Sequence, residues 1–179
     1  MIGRRKDYFH HGDNKPVITS YSIDRNLYSL SNIGEFKLGK DVIKSKDEYA
    51  GYYGVFIDSG STFSYLPSTN YKWLTRSLEN ACSKFPTQCL IAKGNNNYCF
   101  KVNKRESSSM IEMINEIFPS LDIEINGEVV TWLPTRYFTV ANELSSNLCL
   151  GIYSLDRFIL GANWMVDRDI VFNLQQKRV

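Results

Sequence analysis

One acidic residue of this chain, Asp58, ends an apolar run and begins a short turn of small, hydroxyl-bearing residues. Residues 54–62 have the sequence Gly-Val-Phe-Ile-Asp-Ser-Gly-Ser-Thr. A carboxylate at the end of a buried strand is costly unless hydrogen bonds satisfy it. Gly60 lets the backbone double back, and the neighbouring hydroxyl and N–H groups can hold the Asp58 oxygens. The pattern therefore predicts a fixed carboxylate that is suited to acid/base work on a bound water.

The elements that must position this turn are predicted to be mostly short strands. Apolar and polar residues alternate over residues 33–39 and 121–125. Asn126-Gly127, after the second of these segments, favours a type I′ turn into a strand over residues 128–132. Further strands are predicted within residues 17–30 and over residues 54–58, 137–140, 149–153, 157–160 and 170–173.

Two helices are predicted among these strands. Apolar residues recur at helical spacing between Pro67 and Phe85, so the longest helix is expected there. Ser109 and Glu112 form a capping-box pattern, which predicts a short helix over residues 109–118. Many short strands with one or two short helices indicate a mainly β fold.

Composition limits the classes of function. A chain of 179 residues fits one domain and can bury a sizeable core. Its net charge of +2 comes from 21 basic and 19 acidic residues, so no nucleic-acid partner is expected. No apolar run reaches the length of a membrane span. Neither a metal nor an organic cofactor is expected, because the cysteines lack zinc-ligand spacing and no phosphate-binding glycine pattern occurs. His10 and His11 are the only histidines, and no Ser-His-Asp or Cys-His arrangement is predicted.

The Asp58 segment resembles the active-site turn of pepsin-like (A1) aspartic proteases, and specifically the turn of their C-terminal lobe. After the Asp-Ser-Gly-Ser-Thr turn come Pro67 and a helix, as in that family. Phe-Ile-Leu-Gly at residues 158–161 matches the hydrophobic-hydrophobic-Gly element beside the catalytic turn, and residues 169–173 match the strand after it. The resemblance covers most of residues 50–179 and implies a pepsin-like lobe built from double-psi type sheets.

The resemblance implies catalytic and supporting roles around the turn. Asp58 would be the catalytic carboxylate, and Ser61 would donate a hydrogen bond to its outer oxygen. Gly60 would let the backbone approach that carboxylate closely. Gly161 would pack against the turn from the second segment of the motif.

Other residues near the motif have implied roles in contacts beyond the turn. Ser59 would reach towards an opposite lobe and tie the two catalytic turns together. Thr62 would serve either the turn or the edge of the substrate. Tyr65, Trp132 and Trp164 are candidates for lining substrate pockets, although buried aromatic residues more often belong to the core.

An aspartic protease needs two facing carboxylates that share one proton. Only one Asp-Ser/Thr-Gly turn occurs in this sequence. We therefore expect residues 1–179 to be a single C-terminal lobe, with the N-terminal lobe that carries the second Asp absent. The expected partners are that lobe and a polypeptide substrate, and any membrane tether would lie outside the segment.

The four cysteines allow two disulfides in three connectivities. The resemblance pairs Cys99 with Cys149, and Cys82 with Cys89 would then close a short loop at the helix end. Disulfides would place the chain in the secretory pathway: the endoplasmic reticulum, a vacuole or lysosome-like compartment, or the lumenal side of a membrane. Four reduced cysteines in a cytosolic protein are the alternative.

The activity that the resemblance implies is that of an aspartic endopeptidase, inactive as an isolated lobe. The extra cysteine pair and residues 118–125 are similar to the plasmepsin V-like and memapsin-like branches. Two alternatives stay open. One is a catalytically inactive pepsin-fold protein with a binding or inhibitor-like function. The other is a single-lobed protease that pairs with itself so that two Asp58 residues meet.

Overall fold

The structure, a computed structural model, describes residues 21–24, 27–30, 33–44, 54–92, 98–103, 108–140 and 147–172. Their strands are β1 (Tyr21–Asp24), β2 (Leu27–Leu30), β3 (Ile33–Leu38), β4 (Asp41–Lys44), β5 (Val55–Ile57), β6 (Ser64–Pro67), β7 (Cys89–Ile91), β8 (Cys99–Val102), β9 (Leu121–Ile125), β10 (Glu128–Trp132), β11 (Phe138–Val140), β12 (Asn147–Leu150), β13 (Ile152–Leu155) and β14 (Phe158–Leu160). Their helices are α1 (Ser68–Ser83), α2 (Met110–Ile117), α3 (Pro134–Tyr137) and α4 (Ala162–Met165). His10, His11 and the start of the predicted strand region 17–30 lie outside the described residues.

Three sheets organise these strands. The largest has the order β1-β2-β5-β14-β6-β13, and two four-stranded sheets have the orders β10-β9-β3-β4 and β11-β12-β8-β7. In the largest sheet, β14 pairs in parallel with β5 and β13 pairs in parallel with β6. Pairing of strands so distant in sequence brings residues 158–160 beside β5, the strand that ends just before Asp58. The predominance of strands confirms the predicted mainly β fold.

Alternation along the strands decides which side chains are buried. In β3, every second residue up to Leu38 is buried, including Phe36, and the alternate residues are half-exposed. Strand β9 alternates in the same way. In contrast, β5 is buried at all three positions, since it lies between β2 and β14 inside the six-stranded sheet. The core also holds large, almost fully buried aromatic residues: Trp132, Tyr137, Phe100 and Phe118.

Both predicted helices are confirmed. The longer one, α1, buries Leu74 and Leu78 on the face towards the sheets. Helix α2 begins with the predicted capping box, in which Ser109 accepts from the Glu112 N–H and the Glu112 carboxylate accepts from the Ser109 N–H. Helices α3 and α4 escaped prediction because a single turn shows no periodicity. None of the helices in the described part of the chain has the length and apolar character needed to cross a membrane.

The hairpin of β9 and β10 is confirmed, and one predicted strand is wrong. Asn126 and Gly127 have positive φ angles of 53° and 83°, as a type I′ turn requires. The strand predicted over residues 170–173 does not form over 170–172, the part that the structure describes. A strand takes its backbone hydrogen bonds from a neighbour, and no described strand pairs with this segment.

Both predicted disulfides are present. Cys82 at the end of α1 is bonded to Cys89 at the start of β7, and Cys99 of β8 is bonded to Cys149 of β12. The second bond joins directly opposed residues of adjacent antiparallel strands. The two bonds therefore tie α1 to the β11-β12-β8-β7 sheet and fasten that sheet internally.

The double variant Cys99→Ala/Cys149→Ala should be less stable than the double variant Cys82→Ala/Cys89→Ala. The Cys99–Cys149 bond closes a loop of 50 residues, whereas the Cys82–Cys89 bond closes a loop of 7. In the chain-entropy model such loops stabilise by about 4 and about 2.4 kcal/mol, respectively. Urea unfolding of the two paired variants checks this order, and an equal loss of stability would contradict it.

Candidate functional site

The carboxylate of Asp58 is held at both oxygens. Strand β5 ends just before it, and the side chain is half-buried at the end of this central strand. The Gly60 N–H donates to Oδ1 at 2.9 Å, and the Ser61 hydroxyl donates to Oδ2 at 2.7 Å. The Ser61 N–H donates to the Asp58 carbonyl at 3.2 Å and closes the turn. Asp58 is thus fixed in orientation while it stays open to solvent, as a carboxylate that binds a water must be.

Gly60 fits this turn because of its small size. A Cβ at this position would lie 3.2 Å from Asp58 Oδ1, tighter than ordinary van der Waals contact. The absence of a side chain therefore lets the Gly60 N–H reach the carboxylate. The backbone thus approaches the carboxylate closely at Gly60, and the role of this glycine in supporting catalysis stays a prediction.

A second segment, residues 160–163, lies behind the turn. The Asp58 N–H donates to the Leu160 carbonyl at 3.0 Å. The Ala162 N–H donates to the Ser61 carbonyl at 2.7 Å, and the Asn163 N–H donates to the Thr62 carbonyl at 3.1 Å. These bonds continue the β5–β14 pairing past the strand ends, so the turn is hydrogen-bonded to residues 160–163 at its beginning and at its end.

Gly161 packs against the turn more tightly than any other residue could. A Cβ there would come within 2.1 Å of the Phe63 carbonyl oxygen and 2.8 Å of the Ser61 carbonyl oxygen. Its φ of −86° is available to every residue, so only space demands glycine. Gly161 therefore lies in close contact with the turn, and its role in supporting catalysis stays a prediction.

Ser59 and Thr62 have exposed side chains, unlike Ser61. Thr62 holds the turn through its backbone carbonyl. The predicted reach of Ser59 towards an opposite lobe stays a prediction, as does a contact of Thr62 with substrate.

The aromatic candidates divide between core and site. Trp132 and Trp164 are only 1% and 4% exposed, so they belong to the core, which is the more common place for buried aromatic residues, and they do not line a pocket. Tyr65 is half-buried, and its ring lies 6.2 Å from that of Tyr153. Phe63 contacts the same Tyr153 ring edge-on at 5.1 Å. Phe63, which directly precedes β6, and Tyr65 of β6 therefore form an aromatic cluster with Tyr153 of β13.

Arg168 holds the end of α4 against the β10 strand. Its guanidinium donates to the Trp164 carbonyl at 2.8 Å and to the Thr131 carbonyl at 2.6 Å, and it stacks 5.0 Å from the Trp164 ring. Burial lowers the pKa of Arg168, and the neighbouring Asp167 opposes that shift. This arrangement anchors the helix that follows Gly161.

Sequence reasoning missed two residues behind the turn, Ser64 and Asn163. Ser64 is 1% exposed although it is polar, and Asn163 bonds to it across 99 positions of the chain. One signal was available for Ser64: it shares with Leu66 the core-facing positions of β6. A polar residue at a core-facing position needs a buried partner.

Comparisons with known proteins agree with this fold. A model of the family described as "Xylanase inhibitor C-terminal" matches residues 32–179. The crystal structure of basic 7S globulin from soybean is similar, with a TM-score of 0.67 and 17% identity over 90% of this chain and 42% of that chain. Conglutin gamma, a basic 7S globulin from lupine seeds, is similar with a TM-score of 0.65 and 18% identity over 90% of this chain and 39% of that chain.

These similarities show the fold and the family of this chain. No curated protein gives a significant match. The chain spans less than half the length of the two seed globulins, and at such low identity their likeness shows the fold alone. The family match covers most of the sequence. This chain therefore has a pepsin-like fold and belongs to the xylanase inhibitor C-terminal family.

Proposed function

We propose that this chain is the C-terminal lobe of an aspartic endopeptidase and supplies Asp58 as one of two water-activating carboxylates. The observation that carries the proposal is the pair of hydrogen bonds to Asp58, from Gly60 to Oδ1 and from Ser61 to Oδ2. Two oriented carboxylate oxygens and a tight glycine contact behind the turn provide the preorganisation that a catalytic group requires.

The chemistry requires a second carboxylate from another lobe. Two such groups close together share one proton, because both cannot ionise at once. The ionised carboxylate accepts a proton from the water that attacks the peptide carbonyl, and the protonated one donates a hydrogen bond to the carbonyl oxygen. The half-exposed position of Asp58 leaves it open to a facing group. No covalent intermediate and no cofactor enter this scheme.

A second candidate is a pepsin-fold protein that binds a partner without cleaving it. The comparisons favour this candidate over catalysis, since the matching family bears the name of an inhibitor and the similar structures are seed globulins. In such a protein the Asp58 turn would be a rigid part of the fold, and the facing lobe would lack the second carboxylate.

A self-pairing single lobe is a third arrangement, in which Asp58 would face its own copy.

The two disulfides support a place in the secretory pathway, because structural disulfides persist in oxidising compartments. The assignment to a plasmepsin V-like or memapsin-like branch belongs to the same proposal. It rests on the resemblance to those branches of residues 118–125 and of the extra cysteine pair, which forms the Cys82–Cys89 bond.

Digestion of an unfolded polypeptide by the purified full-length protein tests these candidates. We expect new peptide termini, detected by mass spectrometry across acidic to neutral pH. Cleavage in water labelled with oxygen-18 should place the label in the new carboxyl termini, as hydrolysis by water requires. Absence of cleavage at every pH, with retained binding of a protein partner, would overturn the protease proposal in favour of the binding candidate. Activity that appears only in a dimer of this lobe would select the self-pairing arrangement.

A further inference from the structure

We propose that Ser64, which is buried, and Asn163, which is half-buried, are positioning residues that together fix the orientation of the Asp58 turn from behind. Ser64 begins β6 and is 1% exposed. Its hydroxyl donates to Asn163 Oδ1 at 2.8 Å and accepts from the Gly161 N–H at 2.9 Å. The hydroxyl therefore uses both its donor and its acceptor capacity on the segment that clamps the turn.

Asn163 completes a closed network. Its Nδ2 donates to the Gly151 carbonyl at 2.7 Å, and that carbonyl also accepts from the Ser64 N–H at 3.2 Å. Gly151 lies between β12 of a four-stranded sheet and β13 of the six-stranded sheet, so the Asn163 amide ties residues 160–163 to the point where the chain passes from one sheet to the other. Each buried polar group in this ring has a partner, which is the condition under which such networks rigidify a fold.

The network is coupled to Asp58 through a short path of hydrogen bonds. Gly161 and Asn163 flank Ala162, whose N–H donates to the Ser61 carbonyl at 2.7 Å. Ser61 in turn donates its hydroxyl to Asp58 Oδ2. Loss of the Ser64 hydroxyl would leave Asn163 Oδ1 and the Gly161 N–H without this partner. Residues 160–163 would then shift to form other hydrogen bonds. The orientation of the carboxylate would then loosen.

The kinetic part of this inference rests on the proposed peptidase function, whereas the positioning itself does not. In the full-length protein we expect Ser64→Ala to speed amide hydrogen exchange in residues 58–62 by about 10-fold. A misplaced reacting group can cost about 100-fold, and we expect kcat to fall by about 10- to 100-fold while KM changes little. Asn163→Ala, at a half-buried position, should have the same signature, and it covers the case in which Ser64→Ala does not fold.

Two comparisons separate positioning from a general loss of stability. Asn70 is another buried polar residue, 5% exposed, and its amide donates to the Ile43 carbonyl at 3.1 Å, between α1 and β4. Asn70→Ala should leave exchange in residues 58–62 and kcat unchanged. The Ser64→Ala/Asn163→Ala double variant should be about as impaired as the worse single variant, since both changes break one network.

Three results bear on the inference. Equal exchange in residues 58–62 for Ser64→Ala and Asn70→Ala would overturn it, as would additive effects of Ser64→Ala and Asn163→Ala. If the unmodified protein cleaves no peptide, the proposed function fails, but exchange at the turn still decides whether the pair positions Asp58.

Discussion

We expect Asp58→Asn to remove nearly all of the proposed peptide hydrolysis by the full-length protein, the largest effect of any single substitution. The amide has the same size and keeps partners in Ser61 and Gly60, so the turn should keep its shape. It cannot accept a proton from the attacking water. General acid/base groups contribute 10²- to 10⁴-fold, and we expect kcat/KM to fall by at least about 1000-fold.

Asp156→Asn is the matched control for this substitution. Asp156 is an exposed aspartate beside Arg157 in the connection between β13 and β14, and its side chain is 77% exposed. Its replacement removes the same charge without touching the turn, and we expect unchanged kinetics. Thermal unfolding of both variants checks that the fold persists. Cleavage by pure Asp58→Asn protein would contradict a catalytic role, and an unchanged affinity for a protein partner in that variant would support the binding candidate.

Gly161→Ala should be the most destabilising small substitution among the described residues that contact the turn. The added methyl would meet backbone atoms of Phe63 and Ser61 at 2.1 to 2.8 Å, and backbone cannot move aside as a flexible side chain can. Overpacking typically costs 1–3 kcal/mol, and we expect about 3 kcal/mol or more here. The Ser61 carbonyl would be pushed from the Ala162 N–H, so activity should fall together with stability.

Gly127→Asn provides a contrasting glycine substitution. Gly127 has a φ of 83° and no atom within 4 Å of an added Cβ, and asparagine tolerates positive φ. Its replacement should change stability by less than about 1 kcal/mol. Urea unfolding of the two variants measures the difference. A loss below about 1 kcal/mol for Gly161→Ala would mean that the Phe63 backbone yields, and the space argument for Gly161 would be wrong.

The sequence by itself determined the features that depend on neighbouring residues. The Asp58 turn needs a carboxylate, a glycine and a hydroxyl within four positions, and its hydrogen bonds to Gly60 and Ser61 are local. The capping box at Ser109 closes over three residues, and the Asn126-Gly127 turn depends on two backbone angles. Such features are encoded where they form, because their partners are adjacent in the chain.

The resemblance to pepsin-like proteases predicted contacts between distant residues that local sequence patterns do not specify. The spacing of four cysteines allowed three connectivities, and family likeness chose the two bonds that the structure contains. In the same way it placed Gly161 beside the turn, across about a hundred residues of sequence. Neither result follows from composition or periodicity.

Only the tertiary structure decided which polar residues act together over long distances. The bond between Ser64 and Asn163 joins residues 99 positions apart, and their neighbours in sequence do not suggest it. Burial of Trp132 and Trp164 in the core, and the lack of a described partner strand for residues 170–172, also depend on what packs nearby. A side chain's burial and a strand's hydrogen bonds are set by partners from elsewhere in the chain, so local sequence specifies neither.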